Sequence, residues 1–597
     1  MRIVGQVTSS TSVFRVRKKG NAAYDGGTLV SNAKKTVATT LRAALATLVS
    51  RLLGFVRDAL IAFYLGAGAD AFLAAFRIPN IMRRLVAEGA LGMAHTADVS
   101  AHPMPCTAEK TPAALYNRDG LFSLHIAHCF MLAATGIFII LYLFAPLALK
   151  IVAPGLPPEL LSPAASYLRM CALYLPPAAA SAVLAALLIA RGEAGRAALS
   201  PVFLNCAVIG AVALASLATG QEQSLSLALA IGVAVGGFAQ LFWLVWHVKT
   251  LMPDTAWQEF CLRLMLGKNT FSKGPQCLPP AQAEIATGSE GQPPVRGLGR
   301  LFCTVIGASG IQLHLLAGMA AASLLPQGAI TALYFAERLV EFPLALAGGA
   351  VLAAVLPDLA RSVKEHSQTA LHEQLIGGLR LVLFLALPAT AGLLALAQSI
   401  VQALFTYGAF GAEESRLAAL ALQCLVTGLP AMCLVKPLTG ALAALGSDGQ
   451  GTAHRDMACA ALLGTLAVLV GSGLLFPVLT LFNPAPLFPG VCAVALAISL
   501  GAWVQTFLLY RSLKARGVFQ TPWPHGCQPI AVWTVAATAL GAVIGLLPMP
   551  DGRMGLFFAL LGVMALSMVI WFGGFFLAGN REARLMCQSL RPRAVSK

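Results

Sequence analysis

The chain has 597 residues, of which 58% are hydrophobic and 11% are charged, and its formal net charge is +16. A soluble globular protein has about 25% charged residues, so this composition excludes an ordinary soluble domain and indicates a membrane protein. The apolar runs extend over about 20 residues, which is the length a helix needs to cross a bilayer, whereas the strands of a β-barrel would alternate over roughly 10 residues.

Taken in chain order, the sequence predicts an all-α polytopic membrane protein with fourteen transmembrane helices. Residues 1–36 are polar and basic and are expected to form a disordered cytoplasmic extension. A first six-helix bundle is predicted at 37–248, a cytoplasmic linker loop at 249–300, a second six-helix bundle at 301–516, helices 13 and 14 at 529–580 and a basic cytoplasmic tail at 581–597. The spans are predicted at 37–65, 70–93, 121–149, 163–190, 198–219, 224–248, 301–324, 328–357, 375–405, 415–444, 456–481, 489–510, 529–547 and 555–578.

The distribution of lysine and arginine predicts the orientation of these spans. Segments on the side of the two termini hold 29 of the 41 basic residues, whereas the opposite side holds only Lys150, Arg416 and Arg553. Because cytoplasmic loops carry the excess of basic residues, both termini are expected in the cytoplasm. A missed or extra helix would scramble this alternation.

The two bundles repeat each other weakly. Helix two contains DAFLAAFR, which ends at Arg77, and helix eight contains TALYFAER, which ends at Arg338. Six plus six helices in the same orientation are typical of a transporter built from two repeats around a central cavity near the middle of the bilayer.

Helices one, two, eight and ten carry charges inside apolar segments. A charge near the centre of a membrane helix costs about 3 kcal/mol on insertion scales, so these residues need a cavity, a partner or a ligand. The charged residues in helices one, two and eight are Arg51, Arg57, Asp58, Asp70, Arg77, Arg83, Arg84, Glu88, Glu337, Arg338 and Glu341, and helix ten contains Lys436. Pro79 is expected to bend or unwind helix two.

Two interpretations apply to these charges. They are either ion pairs that fix helix contacts, together with side chains that reach the cytoplasmic edge, or the lining of an anion site. The ion-pair interpretation is favoured for Asp58 and Glu337. Both interpretations remain open for Arg77, Arg83 and Arg84. Anion binding is favoured for Arg51, Arg57 and Arg338. An excess of guanidinium groups in a cavity suits phosphate oxygens in particular.

The sequence lacks the motifs of several other functions. It has no Walker A motif, no nucleotide-binding fingerprint and no HExxH, and its 13 cysteines are scattered. We therefore expect no ATP, no nucleic acid, no metal site and no catalytic residue. A membrane enzyme acting on prenyl pyrophosphates would need acidic metal ligands or a catalytic histidine at the membrane edge. His95, His125 and His128 are the nearest candidates for that role, with no DDxxD beside them.

Three stretches carry a family resemblance. SRLLGFVRD, GAGADAFLAAFRIPNIMRRLVAEGAL and LPQGAITALYFAERLVEFP resemble the MurJ/MviN family. That family comprises lipid II flippases of the multidrug/oligosaccharidyl-lipid/polysaccharide exporter superfamily. They move undecaprenyl-pyrophosphate-linked disaccharide-pentapeptide across the bacterial cell inner membrane for peptidoglycan synthesis. The alternatives are an exporter of another lipid-linked oligosaccharide of the O-antigen type, or an exporter of drugs.

The resemblance also implies roles for individual residues. Arg51, Arg57, Arg83 and Arg338 would line the cavity and bind the substrate, the last three nearest the pyrophosphate. The residues expected in or beside the cavity, or in gating, are Asp58, Asp70, Asn80, Arg77, Arg84, Glu88, Glu341 and Lys436. Helices 13 and 14 resemble those that form a lateral groove for the lipid tail.

Two features depart from the family pattern. The segment 94–120 contains histidines and prolines where the family has an apolar-acidic run, and residues Ala444–Gln450 differ from a region that binds sodium in some relatives. The second departure argues against a sodium site. We expect no cofactor, with a monovalent cation left open, and we expect a monomeric, non-enzymatic flippase that works by alternating access.

Overall fold

The computed structural model describes residues 26–84, 118–190, 193–218, 221–250, 294–447, 452–481, 487–519, 528–548, 550 and 552–578. Glu88, the segments 85–117 and 251–293 and the terminal segments 1–25 and 579–597 lie outside the described residues. The predictions for the interior of both long loops and for the two extreme termini therefore stay predictions.

Every regular element in the described ranges is helical. Apolar runs fold this way in a bilayer because a helix satisfies its own backbone hydrogen bonds. The helices are α1 (Gly26–Leu65), α2 (Asp70–Arg84), α3 (Arg118–Leu143), α4 (Ala145–Val152), α5 (Pro158–Ala172), α6 (Leu175–Ala190), α7 (Ala194–Ala218), α8 (Glu222–Lys249), α9 (Pro294–Ala308), α10 (Gly310–Ala322), α11 (Ala329–Pro343), α12 (Ala350–Lys364), α13 (Gln368–Phe405), α14 (Ala412–Val426), α15 (Leu429–Ser447), α16 (Ala453–Thr480), α17 (Leu487–Ala515), α18 (Gln528–Gly545) and α19 (Arg553–Leu577). A 3₁₀ turn (Gly66–Ala69) joins α1 to α2, and a π-helical turn (Leu344–Gly349) joins α11 to α12.

As far as the structure describes them, the fourteen predicted spans each coincide with one helix or with two consecutive helices, and the second span is described only to Arg84. Over the described residues, nine helical segments are long and apolar enough to cross a membrane, or eleven if each of two bent pairs crosses once. The bends measure 93° between α3 and α4 and 66° between α9 and α10. The all-helical membrane architecture is confirmed, and the number fourteen is consistent with it.

The structure differs from the predicted elements at three places. Helix α1 begins at Gly26, so residues 26–36 are helical rather than part of a disordered extension. Helix α9 begins at Pro294, so residues 294–300 are helical rather than part of the linker loop. Helix α2 runs through Pro79 without unwinding, and residues 71–80 are all buried by the protein. The irregular turn comes instead after Pro343, where the chain passes into the π-helical turn.

The helices pack as two groups with a C-terminal pair attached. In the first group α7 packs against α1 and α8, and α2 packs against α5. In the second group α16 packs against α9, α10 and α17, while α14 packs against α11 and α13. The pair α18 and α19 packs on α13, where Trp533 and Trp571 surround the ring of Phe384.

The two groups meet where α1 joins α2 and where α10 leads into α11. The backbone N–H of Ala409 donates to the carbonyl of Phe63 at 2.8 Å, and that of Gly155 donates to the Ser323 hydroxyl at 3.0 Å. Gly408 has φ +58°, and a Cβ there would collide with the Phe63 carbonyl oxygen. From this end, α2 and α11 run side by side into the protein.

Candidate functional site

Asp58 is the centre of the polar contacts between α1 and α11. Its carboxylate is buried and accepts hydrogen bonds from the guanidinium of Arg57 at 3.0 and 2.7 Å and from the Tyr334 hydroxyl at 3.0 Å. Arg338 lies on its other side, with Nε 3.7 Å from Oδ2. One carboxylate is therefore shared by two arginines, Arg57 of the first group and Arg338 of the second.

Arg338 is held by its own helix as well. Its guanidinium donates to Glu341 at 2.9 Å, one turn further along α11, and its Cζ lies 4.5 Å from the centre of the Tyr334 ring. Helical residues three apart share a face, which is why the sequence AERLVE places this pair together. A guanidinium stacked on an aromatic ring and paired with a carboxylate has one fixed orientation.

Two further ion pairs join α2 to α11. Arg77 and Glu337 form a buried bidentate pair whose second contact measures 3.0 Å, and Arg84 lies 2.7 Å from Glu341. Removing one partner of such a buried pair costs about 3–5 kcal/mol, because the other charge is left uncompensated. The Arg77–Glu337 pair thus matches the structural interpretation that the sequence left open for Arg77.

Arg51 and Arg83 differ from these arginines. Arg51 lies over the Phe342 ring at 5.9 Å, and Arg83 donates to the side chain of Asn80 at 3.3 Å. Within the described parts of the chain, neither forms an ion pair with a carboxylate. They therefore supply positive charge that these carboxylates do not neutralise.

We define the arginine cluster as six guanidinium groups and three carboxylates. Its members are Arg51, Arg57, Arg77, Arg83, Arg84 and Arg338 with Asp58, Glu337 and Glu341. With all groups ionised, the cluster has a net charge of +3. An excess of positive charge at membrane depth favours an anionic ligand.

Arg57 and Arg338 have little access to solvent in this conformation, whereas the sequence predicted that they line a central cavity. The side chains of Arg57 and Arg338 are each 11% exposed, and the adjacent cavity beside Arg77 and Glu337 has room for about one water molecule. Both arginines also have a carboxylate partner, where the prediction expected them to await an anion. The reason is that the side chains of Tyr334 and Arg338 extend from α11 to Asp58 of α1.

The remaining predicted residues lie at different places. Asp70 is at the far end of α2, where its carboxylate accepts from the backbone N–H of Gly328 at 2.7 Å and of Thr331 at 2.8 Å, and from the Thr331 hydroxyl at 2.5 Å. It thus caps α11 of the other group. Lys436 lies against Gly348 of the π-helical turn, away from the contacts of the cluster, and Glu88 is outside the described residues.

Three polar residues near the cluster were not predicted from the sequence. The Tyr334 hydroxyl donates a hydrogen bond to Asp58. The Asn205 side chain accepts a hydrogen bond from Arg57 at 3.1 Å and donates one to the Ser50 carbonyl at 3.0 Å. The third, Tyr174, lies between α5 and α6. Tyr334 is one turn before Arg338, which is a usable signal, but nothing local in the apolar sequence of α7 marks Asn205.

The chain was compared with known protein families, sequences and structures. The family model described as "Lipid II flippase MurJ" matches residues 61–561. A "Probable lipid II flippase MurJ" of Haemophilus influenzae is 29% identical over 515 residues, covering 83% of this chain and 90% of that protein. One of Rhizobium tropici is 30% identical over 516 residues, covering 84% of each.

A solved structure gives the same result at the level of the fold. "Lipid II flippase MurJ, inward closed conformation" superposes with a TM-score of 0.62 and 19% identity, covering 90% of this chain and 99% of that one. The family match extends over most of the helices described above, including α2, α11 and the charged residues that join them. The chain belongs to the lipid II flippase MurJ family.

Proposed function

We propose that this multi-pass inner membrane protein is a lipid II flippase. It moves the undecaprenyl-pyrophosphate-linked peptidoglycan precursor from the cytoplasmic to the outer leaflet. Membership of the family supports this function, and the observation that carries it is the arginine cluster, with six guanidinium groups against three carboxylates where the two helix groups meet. The planar guanidinium fork binds phosphate oxygens in a bidentate way.

The carboxylates act as resident counterions while the site is empty. Asp58 forms ion pairs with Arg57 and Arg338, and Glu341 forms ion pairs with Arg338 and Arg84. A pyrophosphate takes over these donors when it binds, so that Arg57, Arg83 and Arg338 then face phosphate oxygens. No bond is broken in this exchange, and the flippase needs no nucleophile or general base.

The counterions also lower the cost of the return step. Moving one elementary charge across the membrane potential is worth about 2.3 kcal/mol per 100 mV. The three resident carboxylates cut the charge that the empty cluster carries by half. A return step of this kind is still sensitive to the potential, because the net charge of +3 is not zero.

The positions at which the two groups touch support alternating access. Asp70 holds the end of α11, and the Phe63–Ala409 and Gly155–Ser323 contacts lie at the same end. The orientation inferred from basic residues makes this the periplasmic end, with both termini in the cytoplasm. Separation of the groups at this end exposes the cluster to the outside, and the prenyl tail stays in lipid beside α18 and α19.

The best-supported alternative is an exporter of another lipid-linked oligosaccharide, because a pyrophosphate linker would bind the same arginines. A drug exporter for organic cations is disfavoured by the positive charge of the cluster. We further propose that the protein acts as a monomer, without ATP, nucleic acid, metal or another cofactor, and that it is not an enzyme.

The test measures lipid II translocation in cells depleted of their own flippase. Arg57→Ala and Arg338→Ala should each lower translocation at least about tenfold, the effect of about 1.4 kcal/mol of lost interaction. Arg361→Ala is the matched control, because that side chain is 68% exposed and its only carboxylate contact in the described chain is the surface pair with Asp358.

Arg57→Lys and Arg338→Lys separate function from folding, since they keep the charge but lose the fork. Membrane levels and elution profiles of the purified variants are recorded in parallel. Wild-type translocation in Arg57→Ala or Arg338→Ala would refute the anion-binding function of the cluster.

A further inference from the structure

Tyr174 has a buried hydroxyl without a partner in the described structure. The residue lies in the break between α5 and α6, directly before Pro176 and Pro177, and is 2% exposed. Its hydroxyl has no hydrogen-bond partner among the described residues. A buried hydroxyl without a partner costs free energy that a phenylalanine ring would not, so this position needs a reason for keeping a tyrosine.

The ring of Tyr174 is fixed by its surroundings. It lies on Gly237 of α8, where an added Cβ would be 2.5 Å from Cδ2 of the ring. Pro177 lines the same space, and α6 packs against α8. The glycine leaves the room that the ring fills, so the direction of the hydroxyl is determined by packing rather than by a hydrogen bond.

Helix α2, which carries Arg83, packs against α5 and α6, the two helices that flank Tyr174. The positive charges of Arg83 and Arg57 act on the Tyr174 hydroxyl. Arg57 already donates to Asp58 and Asn205, whereas Arg83 makes a long hydrogen bond to Asn80 at 3.3 Å. The Tyr174 hydroxyl is in the positive field of both arginines and has no acceptor among the described residues, and an anion with several oxygens would supply one.

We propose that Tyr174 is a substrate-binding residue that donates its hydroxyl to a phosphate oxygen of the pyrophosphate, next to Arg83. This inference rests on the proposed flippase function and adds a subsite built by the first helix group alone. Arg338 of the second group has two carboxylate partners, whereas neither Tyr174 nor Arg83 has one among the described residues. The anion therefore binds first to Tyr174 and Arg83 and displaces Asp58 and Glu341 afterwards.

The test uses the full-length protein in nanodiscs, with undecaprenyl pyrophosphate and lipid II as the two probes. Tyr174→Phe should weaken binding of both probes by the same factor, about tenfold, because a hydrogen bond to a charged group is lost. Its thermal unfolding temperature should equal or exceed that of the wild type, because no protein partner loses a bond.

Tyr167→Phe is the matched control. Tyr167 is a buried tyrosine of α5, the helix that ends two residues before Tyr174, but its hydroxyl has a protein partner, the Gln223 carbonyl, at 3.4 Å. This variant should bind both probes with wild-type affinity. The two tyrosines thus separate the loss of a ligand contact from the loss of a protein contact.

Three results would overturn the inference. They are wild-type binding of both probes by Tyr174→Phe, weaker binding of lipid II alone, which would place the contact on the glycopeptide, and a lower unfolding temperature. Arg83→Gln in the same assay tells the two proposals apart. If Arg83→Gln loses affinity while Tyr174→Phe does not, only the role of Tyr174 fails, whereas wild-type binding by both variants contradicts the flippase site itself.

Discussion

Asp70 links the two helix groups at one end of the molecule, and its replacement should open that end. The carboxylate belongs to α2, yet its three acceptor contacts are all made with Gly328 and Thr331 at the start of α11. A negative charge at a helix N-terminus is stabilised by the unpaired N–H groups and by the helix dipole. The same carboxylate therefore stabilises α11 and holds the groups together.

The size of the effect follows from the individual contacts. A hydrogen bond to a charged group contributes about 1.5–3 kcal/mol. Asp70→Asn keeps one carbonyl oxygen for Thr331 but turns an N–H group toward the Gly328 N–H, so one contact is lost and the closed-to-open ratio should fall about tenfold. Asp70→Ala loses all three contacts, and a net loss of about 3 kcal/mol corresponds to roughly a hundredfold.

Distances between spin labels can measure this ratio. Ile151 and Leu324 are 70% and 68% exposed and lie near the contact between Gly155 and Ser323, on opposite groups. Labels carried by non-natural amino acids leave the 13 cysteines in place. We expect the population with the longer distance to rise in the order wild type, Asp70→Asn, Asp70→Ala.

The control is another carboxylate near the same end. Glu414 accepts from the backbone N–H of Gly411 at 3.0 Å and caps its own helix, α14, without crossing between the groups. Glu414→Gln should leave the distance distribution unchanged. If Asp70→Ala also leaves the distance distribution unchanged, the contacts of Asp70 with Gly328 and Thr331 do not hold the two helix groups together.

Substitutions at three other sites test the packing of the protein by thermal unfolding. Arg77→Met should cost about 3–5 kcal/mol by leaving Glu337 buried and unpaired, and adding Glu337→Gln should restore most of it; no recovery would contradict the pairing. Trp571→Phe should cost about 1 kcal/mol, because the indole N–H loses its 3.1 Å bond to the Phe384 carbonyl, whereas Trp571→Ala should cost about 3 kcal/mol. Gly408→Ala should destabilise the protein by at least about 1 kcal/mol, because φ is +58° and the added Cβ has no space.

Most of the fold could be predicted from apolar run length. As far as the structure describes it, each predicted interval coincides with a helix or with two consecutive helices, because a bilayer forces long apolar segments into helices. The bend at Phe144 has a local signal, because Pro146 stands in the first turn of α4 and disfavours continuation of α3. The bend at Ser309 could not be predicted, since no proline stands there and the break depends on what packs against it. At Pro79 the sequence predicted a bent or unwound helix, but the buried helix α2 continues through this residue.

The site was predictable in its composition but not in its contacts. Counting basic against acidic groups on three helices gave an excess of guanidinium, and the structure gathers these groups into one cluster. The repeat aligned DAFLAAFR with TALYFAER, which matches Asp70 with Thr331, and these two residues are in contact. The sharing of Asp58 between Arg57 and Arg338 depends on the distance between α1 and α11, which no sequence pattern encodes.

The resident carboxylates also set a requirement for the ligand. Asp58 and Glu341 are held in a protein interior where charge pairs are stronger than in water, so a ligand must replace both of them to reach Arg338. A single monovalent oxyanion offers the charge of one carboxylate and leaves the second in place. A pyrophosphate carries at least two charges on adjoining phosphate groups, and it can engage arginines of both helix groups at once. The ion pairs that stabilise the cluster when no ligand is bound therefore favour a diphosphate over a monovalent oxyanion as the ligand.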